Sequence, residues 1–124
     1  MVAVVTAIAG LQSCYKVATV YPKTDVEVTE DVSFTNDIIP IFDSKCSMSG
    51  CHNSGGIKPD LSADKAVNAL SNGGYIDVNT PENSELFLWL TGKKAAAMPP
   101  GGPENPDNLN QLVLAWIKQG AQNN

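Results

Sequence analysis

The chain has 124 residues, the size of one domain, and nothing in it repeats at the period of a solenoid or propeller. Only 17% of its residues are charged, the net charge is -5 at pH 7, and no run of basic residues could track a phosphate backbone, which excludes nucleic acid as a partner. The acidic balance serves solubility, and the kind of partner it would steer is a basic protein.

From Val2 to Leu11 the chain is almost wholly apolar. At roughly ten residues this run matches the apolar part of a secretion signal and falls short of the roughly 20 residues that cross a bilayer as a helix. It leads into Leu11-Gln12-Ser13-Cys14, which resembles a bacterial lipobox. The resemblance implies a lipoprotein signal peptide over 1–13, with Cys14 as the lipid-bearing residue. The other reading is a buried, β-prone N-terminal strand with Cys14 as a core thiol. Residues 14–32 are short on large apolar side chains and read as a tether, so that the folded domain spans 33–124.

Within that domain Phe34, Ile38, Ile41 and Phe42 recur at helical spacing behind Ser33 or Thr35 as caps. They predict a short helix running into Cys46, irregular at Pro40, which removes an amide donor and crowds the carbonyl four residues back. Residues 52–60 form a loop by composition, and Ser62 is placed to cap a helix through Leu70 that ends over Ser71-Asn72-Gly73-Gly74. Thr80 as cap, Pro81 at the first position, Glu82 in the first turn and Gly92 as stop predict a third helix. Leu86, Phe87 and Leu90 share its apolar face, and Trp89 lies off it, either exposed or covering the edge of a bound group.

The last helix has the plainest signals, with Asn105 as cap, Pro106 and Asp107 in the first turn and Gly120 at the exit. Leu109, Leu112, Val113, Trp116 and Ile117 form one stripe that must pack on something. Only Tyr75 to Val78 alternates at period two. The fold class is therefore all-α, about four short helices joined by long Gly- and Pro-rich connections. Such a domain buries little for its size, and a cofactor at its centre would supply the missing core.

The chain has three cysteines and one histidine, and Cys46, Cys51 and His52 lie together in CSMSGCHN. Covalent attachment of a haem takes two thiols to add across its two vinyl groups, and an imidazole directly after the second thiol to reach the iron. The spacing here is two residues longer than the usual C-x-x-C-H, and Gly50 can take the backbone angles of the bulge. No second histidine offers a sixth ligand. Met48 sits inside the cysteine loop and Met1 belongs to the signal, which leaves Met98, mounted between Ala97 and the stiff Pro99-Pro100 pair with Gly101-Gly102 behind. Two alternatives remain open. One is a zinc site of Cys46, Cys51 and His52 with Asp43 or Asp60 as an improvised fourth ligand, and the other is a Cys46–Cys51 disulfide with His52 incidental, each in a domain with a binding or structural role.

Taken together, the NDIIPIF helix before CSMSGCHN, the MPPGG loop and the terminal helix ending WIKQGA resemble the small single-haem c-type cytochrome domains of bacterial exported proteins, especially lipoproteins of the Bacteroidetes type. The likeness covers residues 33–121. It implies a small cytochrome c-like fold around one covalent haem c, thioether bonds from Cys46 and Cys51, and axial iron ligation by His52 and Met98. It also implies that the last helix crosses the first, with Trp116 and Ile117 against Ile38 or Phe42. The expected function is one-electron transfer between exported or membrane-associated redox partners, with no catalysis and no small-molecule substrate. The expected location is a bacterial membrane, held by the lipid on Cys14 and facing the periplasm or cell surface.

Overall fold

The structure, a computed structural model, describes residues 27–100 and 107–124. The signal peptide, Cys14, most of the tether, the Gly101-Gly102 turn and the Asn105-Pro106 cap lie outside the described residues. Within them the chain is helical and contains no strand; Tyr75 to Val78 forms none. A π-helical segment, Phe34–Ile38, leads directly into α1, Ile39–Lys45. After a long loop come α2, Ala66–Asn72, a 3-10 turn at Pro81–Asn83, α3, Glu85–Leu90, and α4, Asp107–Lys118.

The first helix is irregular where Pro40 requires it. Ser33 caps it, its hydroxyl accepting the Asn36 amide at 3.2 Å while the Asp37 carboxylate accepts the Ser33 amide at 2.8 Å. The widened π turn ends at Ile38, and Pro40 then occupies the first turn of α1.

Two other helices begin later than their sequence signals. Ser62 does not cap α2: its hydroxyl and amide both donate to the Asp60 carboxylate, residues 62–65 form a turn, and the helix starts at Ala66. The predicted single helix after Thr80 is split. Thr80 donates its hydroxyl to Asp77, and Ser84 breaks the helix with extended backbone. Ser84 is fully buried, its hydroxyl accepting the Asp77 amide at 2.9 Å, and it is this bond to the preceding loop that interrupts the helix.

One core joins all of these elements. Ile38, Phe42, Leu70, Val113, Trp116 and Ile117 are fully buried in it, with Leu86 and Leu90 from α3. The terminal helix does pack on the start of the first, and the direct ring contact of Trp116 is Phe34, stacked at 5.2 Å and 29°. Phe34 in turn meets Phe42 edge-on at 6.3 Å. The α4 stripe widens in its middle: Val113 through Ile117 are all buried, because the π segment, the 3-10 turn and α3 contact the helix together. Asn110, buried, donates to the Leu90 carbonyl at 3.3 Å, and Lys118 pairs with Glu82 at 3.0 Å.

The packed part of the chain reaches upstream of Ser33. Val32 is buried and Val28 packs against the core. Two C-terminal amide side chains hold this segment. Gln119 donates to the Glu30 carbonyl and accepts the Val32 amide, each at 2.8 Å. Asn124 accepts the Phe34 amide at 2.8 Å through its side chain and the Thr35 amide at 2.9 Å through its backbone. Trp116 lies at the centre of this arrangement, stacked on Phe34 and donating its indole N–H to the Gln122 carbonyl at 2.9 Å. Trp116→Ala is expected to destabilise the domain by about 3–5 kcal/mol, the usual cost of truncating a buried tryptophan, read from urea unfolding of the native and variant chains.

Candidate functional site

Cys46 sits at the C-terminal end of α1, its amide donating to the Phe42 carbonyl at 2.8 Å, as does that of Ser47. The loop that follows closes on itself. The Cys51 amide donates to the Met48 carbonyl at 2.9 Å, and the His52 amide reaches back to the Cys46 carbonyl at 3.0 Å. Gly50 takes the left-handed backbone that this turn demands, with φ +79°. The extra two residues between the cysteines are thus absorbed in a closed turn, and Met48, at its outer edge, is 53% exposed.

Downstream, the chain folds back around His52. The Ile57 amide donates to the Cys51 carbonyl at 2.8 Å and the Leu61 amide to the His52 carbonyl at 2.7 Å. A Cβ at Gly56 would collide with the backbone carbonyl oxygen of Cys51 and the side-chain oxygen of Asn53, so glycine permits this close approach. The Asp60 carboxylate anchors the far end, and hydrogen bonds from Ser62, with Lys65 nearby, hold its carboxyl below the usual carboxylate range.

The fold-back brings two carbonyl oxygens to one ring nitrogen. Nδ1 of His52 lies 3.2 Å from the Ile57 oxygen and 3.1 Å from the Pro59 oxygen. Both partners accept only, so Nδ1 carries a proton, and Nε2 is the ring nitrogen through which a metal could be ligated.

Beside His52 lies an apolar cleft whose walls include Cys46, Leu61, Tyr75, Leu86, Leu90, Trp89 and Met98. An adjoining hollow shares Cys46, His52, Ile57 and Met98 with it and adds Cys51, Lys45, Pro99 and Pro100. The four residues singled out in the sequence, Cys46, Cys51, His52 and Met98, thus all line the second of these two apolar hollows. Tyr75, Leu61 and Pro59 had no sequence signal as site residues; only the fold-back after His52 and the turn after α2 bring them there.

Trp89 is half-buried as a wall of this cleft, its indole N–H donating to Glu85 at 2.9 Å. Glu85 also pairs with Lys94 at 2.8 Å, and that bond, with the indole, keeps its carboxyl below the ordinary range.

Both cysteines are free, half-buried thiols. Burial, with Cys51 adding to it and Lys45 partly opposing, pushes the Cys46 thiol up to about 11. For the zinc alternative, Asp43 accepts the Ser47 hydroxyl and Asp60 is committed to Ser62 and Lys65. Among the described residues no three of His, Cys, Asp and Glu converge on a metal position. No helix among the described residues is long and apolar enough to cross a membrane.

No family model matches the chain, and no curated protein or solved structure is similar to it.

In the free chain the Cys46 thiol is protonated at neutral pH, and only the thiolate is alkylated. Its modification by iodoacetamide is expected to rise about tenfold per pH unit through the ordinary thiol value of 9.0 and to level off near 11, followed by mass spectrometry of the Cys46 peptide. A plateau at or below 9.0 would contradict the burial described here.

Proposed function

We infer that the chain is a single-haem c-type cytochrome, of small cytochrome c-like fold, that passes single electrons between exported or membrane-associated redox partners. One observation carries this reading most directly. The only histidine is held at Nδ1 by two backbone carbonyls, with Nε2 as the ring nitrogen for a metal, on the wall of an apolar hollow shared with two free thiols and one methionine. A metal-ligating histidine commonly donates its other N–H in this way.

In this reading Cys46 and Cys51 would hold the haem by thioether bonds, and His52 and Met98 would bind its iron. Once bound, the haem supplies a one-electron ferric/ferrous couple. The chain's own residues supply the rest. Leu61, Leu86, Leu90 and Tyr75 exclude water and lower the local dielectric, which with His/Met ligation favours a relatively high potential. The Ile57 and Pro59 carbonyls hold the Nδ1 proton of His52 and so keep the imidazole oriented. With His52 and Met98 both committed to the iron and no second histidine to move a proton, the site would be suited to electron transfer and not to catalysis on a small molecule.

The lipid anchor on Cys14 belongs to the same reading: an exported chain with Cys46 and Cys51 committed to haem leaves no odd thiol if Cys14 is acylated. The site would then face the periplasm or cell surface of a bacterial membrane. The net charge of -5 favours approach of a basic redox protein over long range. The charged side chains lining the two hollows among the described residues, Lys45 and Lys58, are themselves basic, so long-range steering and the charge at the mouth act in opposite senses.

The test is expression of the full chain in a host with a cytochrome c maturation system able to act on the longer motif. The expected product shows a sharp α-band on reduction and keeps its colour on the chain after denaturation, whereas Cys51→Ala weakens and His52→Ala abolishes that spectrum. In Met98→Ala the potential is expected to fall and the ferric iron to bind imidazole and cyanide, which the native protein resists. A colourless native product would leave the domain with a dithiol and a binding or structural role.

A further inference from the structure

The segment that carries Met98 is stitched to α3 at three points. The chain leaves α3 at Gly92, where φ is +68°, and turns back along the helix it has just left. The Lys93 amide then donates to the Leu88 carbonyl at 2.9 Å. The Lys94 ammonium meets the Glu85 carboxylate at 2.8 Å, and the Met98 amide donates to the Trp89 carbonyl at 3.1 Å. Glu85 holds both sides of this loop, because its second oxygen accepts the indole N–H of the same Trp89 at 2.9 Å.

We propose that Glu85 is a positioning residue for Met98: by gripping Lys94 on the arm and Trp89 on the helix, it fixes where the arm sets the methionine at the cleft. The proposal rests on the cytochrome reading of the cleft. Several features mark the Glu85 contacts as more than a surface pair. Lys94 and Glu85 are each only about one-third exposed, at 34% and 36% of their side chains, so both ends are partly withdrawn from water. The carboxylate is shared between a cation and a neutral donor, which sets its direction. Trp89 lines the cleft together with Met98, so a rotation of the indole moves the wall against which the arm rests. The arm itself is Lys93-Lys94-Ala95-Ala96-Ala97, with three alanines that offer little packing of their own and are exposed at 95, 96 and 97. These hydrogen bonds and the ion pair hold it to α3, and Glu85 both makes the ion pair and holds the indole of Trp89, whose carbonyl takes the Met98 amide.

Two variants separate the contacts. Glu85→Gln keeps an acceptor for the Trp89 indole and loses the ion pair; Glu85→Leu loses both. In the full chain without haem, hydrogen exchange of the Met98 amide is expected to quicken by about tenfold in Glu85→Leu and less in Glu85→Gln, given the modest strength of a partly exposed pair and one hydrogen bond. The Leu61 amide, bound to His52 on the other side of the cleft, should not change. In the haem-loaded chain, imidazole can take the iron only when the methionine is away, so its apparent affinity reports the fraction of displaced Met98. That affinity should rise about tenfold in Glu85→Leu, with a weakened methionine-to-iron charge-transfer band. Equal Met98 exchange and equal imidazole affinity in the native chain and Glu85→Leu would overturn the proposal. If Glu85→Leu does not fold by circular dichroism, Glu85→Gln and Lys94→Gln carry the same comparison. A native chain that binds no haem would sink the cytochrome reading, while amide exchange would still decide whether Glu85 holds the arm.

Discussion

The site depends on where one proton sits. A histidine on a loop has two tautomers and a freely turning ring, and either freedom would spoil it as a ligand. Here the Nδ1 proton lies between the oxygens of Ile57 and Pro59. Those oxygens are in place because residues 51–61 wrap back on themselves, closed by the Ile57–Cys51 and Leu61–His52 backbone bonds. The wrap in turn requires Gly56, where a Cβ would strike the Cys51 carbonyl and the Asn53 side chain, and ends at Asp60, whose carboxylate starts the turn into α2. A single ring orientation thus rests on ten residues of irregular chain that carry almost no apolar burial of their own until Leu61.

The cleft and the hydrophobic core are not separate. Leu61, Leu86 and Leu90 belong to the buried core and also form walls of the cleft. Whatever fills the cleft therefore packs against side chains that already hold α3 to the rest of the domain, and its binding free energy adds to folding by linkage. Four short helices bury a modest core, and three of its leucines also face the cleft.

The local signals were legible where one residue type has one job. The clustering of Cys46, Cys51 and His52, the left-handed need at Gly50, the apolar face of α3 and the burial of Trp116 and Ile117 could all be read from spacing. What could not be read was decided by competition for the same polar groups. Ser62 looked like a cap until Asp60, two residues before it, took both its donors; Ser84 looked like a helix interior until the Asp77 backbone claimed its hydroxyl. The widened turn before Pro40 was foreseen as an irregularity and not as a π segment. Long-range bonds left no trace at all: nothing in the sequence links Gln119 to Glu30, or Asn124 to Phe34. The helical class follows from the periodicity, while the haem-binding fold that the motifs resemble belongs to the reading of the site and not to the helices alone.

The clasp between the two ends of the domain bears on how the protein would respond to being pulled. A force on the chain upstream of Glu30 meets first the two hydrogen bonds of the Gln119 amide, on Glu30 and Val32, and then those of Asn124 to Phe34 and Thr35. Behind them stands the Phe34–Trp116 stack. Load would thus pass from the leading segment into α4 through a row of bonds that must be broken one after another. None of these bonds involves residues 46–61 or the methionine arm, so the chain can be tugged at that end while the walls of the cleft keep their places.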